Sequence, residues 1–188
     1  MARYTKETAI SIICNCAKKY KEELAGRCLL FVCMDKHKKI SYMEVSFYAS
    51  NFLHLTGVKL VKQDMSALDF FEHCISHKLS KSMFEFAEDG TTQLKLEILP
   101  LLMCKNLSAN AIGDFFSYNP KLYTEKLAGS QKACMGFVKG KETSEYHVPN
   151  TVLHTDIRNH ITKPLRIIET YRKNRKRGRD FDVGSFSW

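Results

Sequence analysis

The sequence predicts an α+β fold in which N-terminal helices pack on a mainly antiparallel sheet of about four to six short strands. Three observations predict it. Residues 5–25 repeat their apolar side chains at helical spacing. Residues 27–48 hold two strand-like runs joined by a polar turn. Beyond residue 110, short apolar pieces alternate with Gly, Pro and Asn.

Thr5 is placed to cap the first helix, and Gly26 follows its end. Ile10, Ile13, Cys14, Ala17 and Leu24 fall near one face of it. "RCLLFVCMD" (27–35), the turn "KHKK" (36–39) and the alternating "ISYMEVSFY" (40–48) read as a hairpin. "NFLHLTGV" (51–58) follows as a strand end or corner. A second helix is expected over 66–79, with Ser66 and Asp69 at a capping-box spacing. "TTQLKLEILPLLMC" (91–104) favours a helix by length and a strand by alternation, and Pro100 interrupts either. "AIGDFF", "LYTEKLAGS", "KACMGFVKG" and "EYHVPNTVL" read as short strands. "PLRIIETYRKN" (164–174) ends the series as a strand or a helix. One domain is expected over residues 1–170, with 171–188 as a basic, flexible tail.

Charge narrows the function. Lys and Arg number 29 against 20 Asp and Glu, a net +9. Such an excess favours an anionic partner, nucleic acid first. The tail carries six basic and two acidic side chains, so the body is basic on its own account. Hydrophobic residues make up 44% of the chain, enough for a core. The 7 cysteines, an odd number lying mostly in apolar runs, read as reduced, buried thiols. "MARYTKETAI" lacks an apolar signal region, so a cytoplasmic location is expected. No run approaches the roughly 18–20 apolar residues of a membrane span, and no membrane partner is expected. Cofactors and metals are not expected either. Cys14 and Cys16 lack companion ligands, and the Rossmann, P-loop, G-x-S-x-G and H-E-x-x-H signatures are missing.

His54 is the leading candidate for chemistry, because imidazole exchanges protons near neutral pH. In an extended stretch Thr56 would share its side, and Gly57 would offer an open N–H. A packed strand-end histidine followed by ordinary turn residues explains the same letters. His73 and His77 sit four apart, but a helix face explains them without a metal. "EYHVPNTVLHTDIRNH" (145–160) holds Asn150 and Thr151 after Pro149, and Asp156 close to Arg158. Arg158 could bind phosphate or pair with Asp156. His147, His154 and His160 read equally as solvated or functional. Ser117, Tyr118 and Lys105 are weaker single signals.

As a set, "NFLHLTGV", "ALDFFEHCISHKLS", "EDGTTQLKLEILPLL", "ACMGFVKG", "VPNTVLHTDIRN" and "PLRIIETYRK" resemble one family across roughly residues 5–173. It is the phage-associated group of nucleases likened to barnase, EndoU, colicin and RelE, fourth subgroup. The resemblance implies N-terminal helices before a four-stranded antiparallel sheet. It also implies metal-independent RNA cleavage in phages and mobile elements, in conflict or toxin settings inside a bacterial host cell. The family's histidine motif falls on His54, with Thr56 and Gly57, and its "PNT" element on Asn150 and Thr151. The tail after Arg172 departs from the family pattern.

In such a reaction the ribose 2′-hydroxyl attacks phosphorus and leaves a 2′,3′-cyclic phosphate. His54 is the expected acid or base, with Tyr118 as the second proton-transfer group. Thr56 and Asn150 would position the phosphate, and Lys62, Lys105 or Arg158 would stabilise its charge. Asn51, Gly57 and Thr151 complete the expected substrate contacts. Arg172, Lys173, Arg175, Lys176, Arg177 and Arg179 would grip nucleic-acid phosphates. The competing readings are a mobile-element protein that blocks a host nucleic-acid-binding defence complex, a plain RNA-binding module, and a nucleotide transferase. RNA or such a host complex is therefore the expected partner.

Overall fold

The computed structural model describes residues 4–61, 64–116, 123–140 and 146–174. Thr5 caps the first helix, α1 (Lys6–Glu23), by accepting from the Thr8 N–H at 3.3 Å. β1 (Arg27–Met34) and β2 (Ile40–Phe47) form the expected hairpin, with Met34 opposite Ile40. The Asp35 carboxylate holds its turn by accepting from the N–H groups of His37 at 2.8 Å and Lys39 at 2.9 Å.

"NFLHLTGV" is not extended. A 3-10 turn (Ala49–Asn51) runs into the short helix α2 (Phe52–Thr56), which Gly57 ends with a left-handed φ of 72°. β3 (Val58–Leu60) then pairs with β4 (Phe84–Phe86) as a separate ribbon. Between them lies α3 (Ala67–Ile75), opened by the Ser66–Asp69 capping box. It ends before His77, whose φ is +55°, so His73 and His77 do not share a helix face. The stretch with two readings is the helix α4 (Thr91–Leu102), with Pro100 in its last turn.

The remaining strands are β5 (Ala111–Phe115), β6 (Lys126–Gly129), β7 (Cys134–Lys139), β8 (His147–Leu153) and β9 (Ile161–Asn174). They correct the expected sheet. In place of helices on an open, mainly antiparallel sheet of four to six strands, seven strands close into a mixed barrel in the order β1-β2-β8-β7-β6-β5-β9. Two features cause closure. The 14 residues of β9 are long enough to pair with β1 along one stretch and β5 along another. β8 meets β2 in parallel, at Val45 opposite His147. Closure gives every one of these strands a neighbour on both sides, although β2 and β8 meet only at Val45 and His147. Tyr171 to Asn174, expected to begin the tail, are the end of β9. Residues 175–188 of that tail lie outside the described residues.

The helices pack on one another and on this barrel through a buried aromatic cluster. The Tyr20 ring lies 5.3 Å from Phe52, 5.9 Å from Phe71 and 6.2 Å from Phe47, centroid to centroid. Its hydroxyl donates to the Tyr48 carbonyl at 2.9 Å, so the buried phenol is satisfied. Among the described residues no helix is long and apolar enough to cross a membrane.

Strand register decides which loops gather. Met34 lies opposite Arg166, Asp114 opposite Lys126, and Lys139 opposite His147. The ends of β1, β5 and β7 and the starts of β2, β6 and β8 therefore lie at the same end of the barrel as the start of β9.

Candidate active site

That end of the barrel holds a cavity of about 450 Å³, on the scale of small-ligand sites. Cys33, Met43, Ile112 and Leu165 give it apolar wall, and Glu44, Asp114, Lys126, His147 and Lys163 bring it charge. These residues come from six of the seven barrel strands, so closure itself assembles the set.

The charged groups are coupled. Lys126 makes an ion pair with Asp114, and the Lys163 ammonium lies 3.9 Å from the second Asp114 oxygen. The Nε2 of His147 lies 3.8 Å from a Glu125 carboxylate oxygen, beyond hydrogen-bond reach. Its Nδ1 is buried and has no hydrogen-bond partner among the described residues. A sealed, unpartnered ring nitrogen costs about 1–3 kcal/mol and calls for an explanation. Burial pushes the His147 pKa below the ordinary histidine value; the Glu125 carboxylate opposes this, and Lys126 and Lys139 add to it. Burial thus favours the neutral form of the imidazole.

The profile of the family described as phage-Barnase-EndoU-ColicinE5/D-RelE like nuclease4 matches residues 12–180. The chain belongs to this nuclease family. No curated protein and no solved structure matches it. Membership implies a nucleic-acid substrate and cleavage of its phosphodiester bonds. The match runs through residue 180, so it takes in most of the basic run that the resemblance left out.

The residues singled out from the sequence do not converge on one site. His54 is exposed on α2, and its carbonyl accepts from the Lys95 ammonium at 3.1 Å. The stretch is helical, so Thr56 points away from His54 and is fully buried. Its hydroxyl donates to the Leu53 carbonyl at 2.7 Å and accepts from the Val58 N–H at 3.3 Å. The Gly57 carbonyl accepts from the buried Thr92 hydroxyl at 2.6 Å. Asn51 accepts from the Tyr48 N–H at 3.0 Å. These groups latch a corner. Lys95, which the sequence reading passed over, packs against Gly57, and burial lowers its pKa while Asp89 opposes.

Asn150 binds back to its neighbours, accepting from the Thr124 hydroxyl at 3.3 Å and donating to the Tyr123 carbonyl. Thr151 is buried, with its methyl packed where Gly136 has no Cβ. Arg158 pairs with Asp156 at 2.6 Å on an exposed turn. Lys105 and Arg172 line a second groove of about 320 Å³ along β9, and Arg172 pairs with Glu23. Lys173 lies in β9 opposite Cys28. Lys62, Tyr118, Arg175, Lys176, Arg177 and Arg179 lie outside the described residues.

The reading of the sequence missed Asp114, Lys126 and Lys163, and left His147 undecided. Each stands in a short strand-like piece with no motif around it. The pairing that joins them spans long stretches of chain, so local spacing held no signal for it.

Proposed function

We propose that the chain is a metal-independent endoribonuclease with its reaction centre in the barrel mouth, where it leaves a 2′,3′-cyclic phosphate and a 5′-hydroxyl. One observation carries this reading. A mostly buried imidazole, whose neutral form burial favours and whose Nε2 stands outside hydrogen-bond reach of Glu125, shares a cavity with two ammonium groups in a member of a nuclease family.

The residues divide the reaction as follows. With Nδ1 sealed, His147 exchanges protons through Nε2. It takes the proton of the attacking 2′-hydroxyl as the oxygen–phosphorus bond forms. Glu125 steadies the imidazolium so produced. Lys126 and Lys163 turn from Asp114 to the non-bridging phosphate oxygens and hold the added negative charge. The imidazolium returns its proton to the departing 5′-oxygen, which restores neutral His147.

The test is cleavage of total RNA and of tRNA in EDTA, with the fragment ends mapped. His147→Ala and His147→Gln are expected to lose roughly 10²–10⁴-fold in rate while keeping the wild-type melting transition. Full activity in both would end the reading. A second reading keeps the centre at His54, the family's histidine motif by resemblance. It is favoured by the exposure of that side chain on a corner latched by Thr56, Gly57, Thr92 and Lys95. His54→Ala in the same assay separates the two: the variant that collapses the rate marks the centre.

A further inference from the structure

The mouth has a rim, and its composition differs from the cavity it surrounds. Within the cavity two lysines face two acids, Glu44 and Asp114, and the charge cancels. Among the described residues of the rim it does not, even with the Glu125 carboxylate beside His147. The β1–β2 turn presents four exposed side chains in a row, Lys36 to Lys39, three of them lysine. The one carboxylate in that turn, Asp35, is spent on the backbone N–H groups of His37 and Lys39. Lys139, opposite His147 in the strand register, is exposed, and the Lys163 side chain is 85% exposed.

Large aromatic side chains stand among these cations. Tyr42 lines the cavity and is 59% exposed. Phe116, two residues after Asp114, is 49% exposed, and Tyr123, three before Lys126, is 83% exposed. Tyr42 stands on β2, and Phe116 and Tyr123 flank the paired Asp114 and Lys126 on the neighbouring strands β5 and β6. Apolar rings of this size are normally buried, and an isolated exposed one means little. Three at one charged opening that also carries exposed lysines match what an unpaired nucleic-acid strand requires: π-faces for its bases and cations for its phosphates.

Resting on the endoribonuclease reading above, we infer that the substrate is single-stranded RNA, held at the rim by base stacking on Tyr42, Phe116 and Tyr123 and by phosphate contacts to Lys39, Lys139 and Lys163. A duplex keeps its bases stacked on one another and offers these rings nothing. The rim thus selects unpaired segments and feeds one phosphodiester into the mouth.

The experiment measures binding without turnover. The full-length His147→Ala protein is titrated into a fluorescein-labelled, unstructured short RNA, and into the same strand annealed to its complement, with anisotropy as the readout. The single strand is expected to bind tighter. Tyr123→Ala and Tyr42→Ala should each weaken it by roughly 5- to 150-fold, while Tyr123→Phe keeps the ring and the affinity. Lys39→Gln should flatten the salt dependence by about 0.7 in log–log slope, the value of one phosphate contact on a single strand. DNA of the same sequence, lacking the 2′-hydroxyl, should bind and stay uncut by the wild-type protein. Equal affinity for strand and duplex would overturn the inference. So would tyrosine variants that bind within two-fold of the parent. The cleavage reading fails separately: stacking-dependent binding by a protein that cuts no RNA would leave the rim intact and remove the reaction.

Discussion

Gly57→Ala tests whether the corner around His54 is built by steric necessity. Gly57 has a φ of +72°, which an L side chain adopts at a cost of about 1–2 kcal/mol. A Cβ there would also lie 2.7 Å from Lys95 Cδ and 3.4 Å from Thr92 Cα. Lys95 cannot simply swing aside, because its ammonium donates to the His54 carbonyl at 3.1 Å. Moving it forfeits about 0.5–1.5 kcal/mol of hydrogen bonding. The sum is about 1.5–3.5 kcal/mol, or a melting temperature lower by roughly 3–14 °C for a chain of this length. Gly90 supplies the control. Its φ is +76° with nothing within 4 Å of a built Cβ, so Gly90→Ala should cost the backbone share alone. Urea unfolding followed by far-ultraviolet circular dichroism reads both. In a Lys95→Ala background the excess cost of Gly57→Ala should vanish, because the clash has been removed. An excess that persists there, or Gly57→Ala no worse than Gly90→Ala, would refute the steric argument.

Two further perturbations follow from the same structure. The pKa of His147 is lowered mainly by burial, so the base loses activity only as pH falls through a value below the ordinary 6.5, and the acid limb of the pH–rate profile should lie there. Glu125→Gln removes the one group that raises this pKa and should move the limb lower still. The sign for stability agrees. The unfolded chain takes up the proton first, so stability drops as pH falls below about 6.5 and levels off below the folded pKa. The slope is at most about 1.4 kcal/mol per pH unit. Thr92→Val should cost about 2–4 kcal/mol in urea titrations, because its hydroxyl donates to Gly57 at 2.6 Å and accepts from the Ala87 N–H at 2.8 Å, and both backbone groups would lose their partner.

Local features were legible in the sequence because local physics makes them. The Thr5 cap, the Ser66–Asp69 box, the β1–β2 hairpin and the buried thiols all rest on neighbours a few residues away. The barrel was not legible. It closes through pairs such as Arg27 with Asn174 and Val45 with His147, which share no local pattern. The basic letters of Tyr171 to Asn174 resemble a tail, and only their pairing with β1 makes them strand. "NFLHLTGV" misled in the same way. Its Thr and Gly suggested an open phosphate cradle, whereas the αL glycine terminates a short helix and turns the threonine inward. The mouth was hidden most deeply, since its charges come one per strand.

The contrast between the two histidines turns on what their surroundings still have to give. Around His54, the polar groups already have partners: Thr56 serves Leu53 and Val58, Thr92 serves Gly57 and Ala87, and Asn51 serves Tyr48. A hydroxyl committed to backbone on both sides holds a corner well and a phosphate poorly. In the mouth the pairings are between side chains, and an anion can exchange with them. Asp114 faces Lys126 and Lys163 as a phosphate would, with two oxygens between two ammonium groups. It holds both lysines beside the cavity in the free protein, so a phosphate taking its place would require little reorganisation. His147 completes the contrast: its Nε2 stands just outside hydrogen-bond distance of Glu125, and its Nδ1 has no partner among the described residues. Incomplete pairing of that kind weakens a fold and prepares a reaction, which is why the mouth, rather than the better-satisfied corner, is the place where this nuclease is expected to cut.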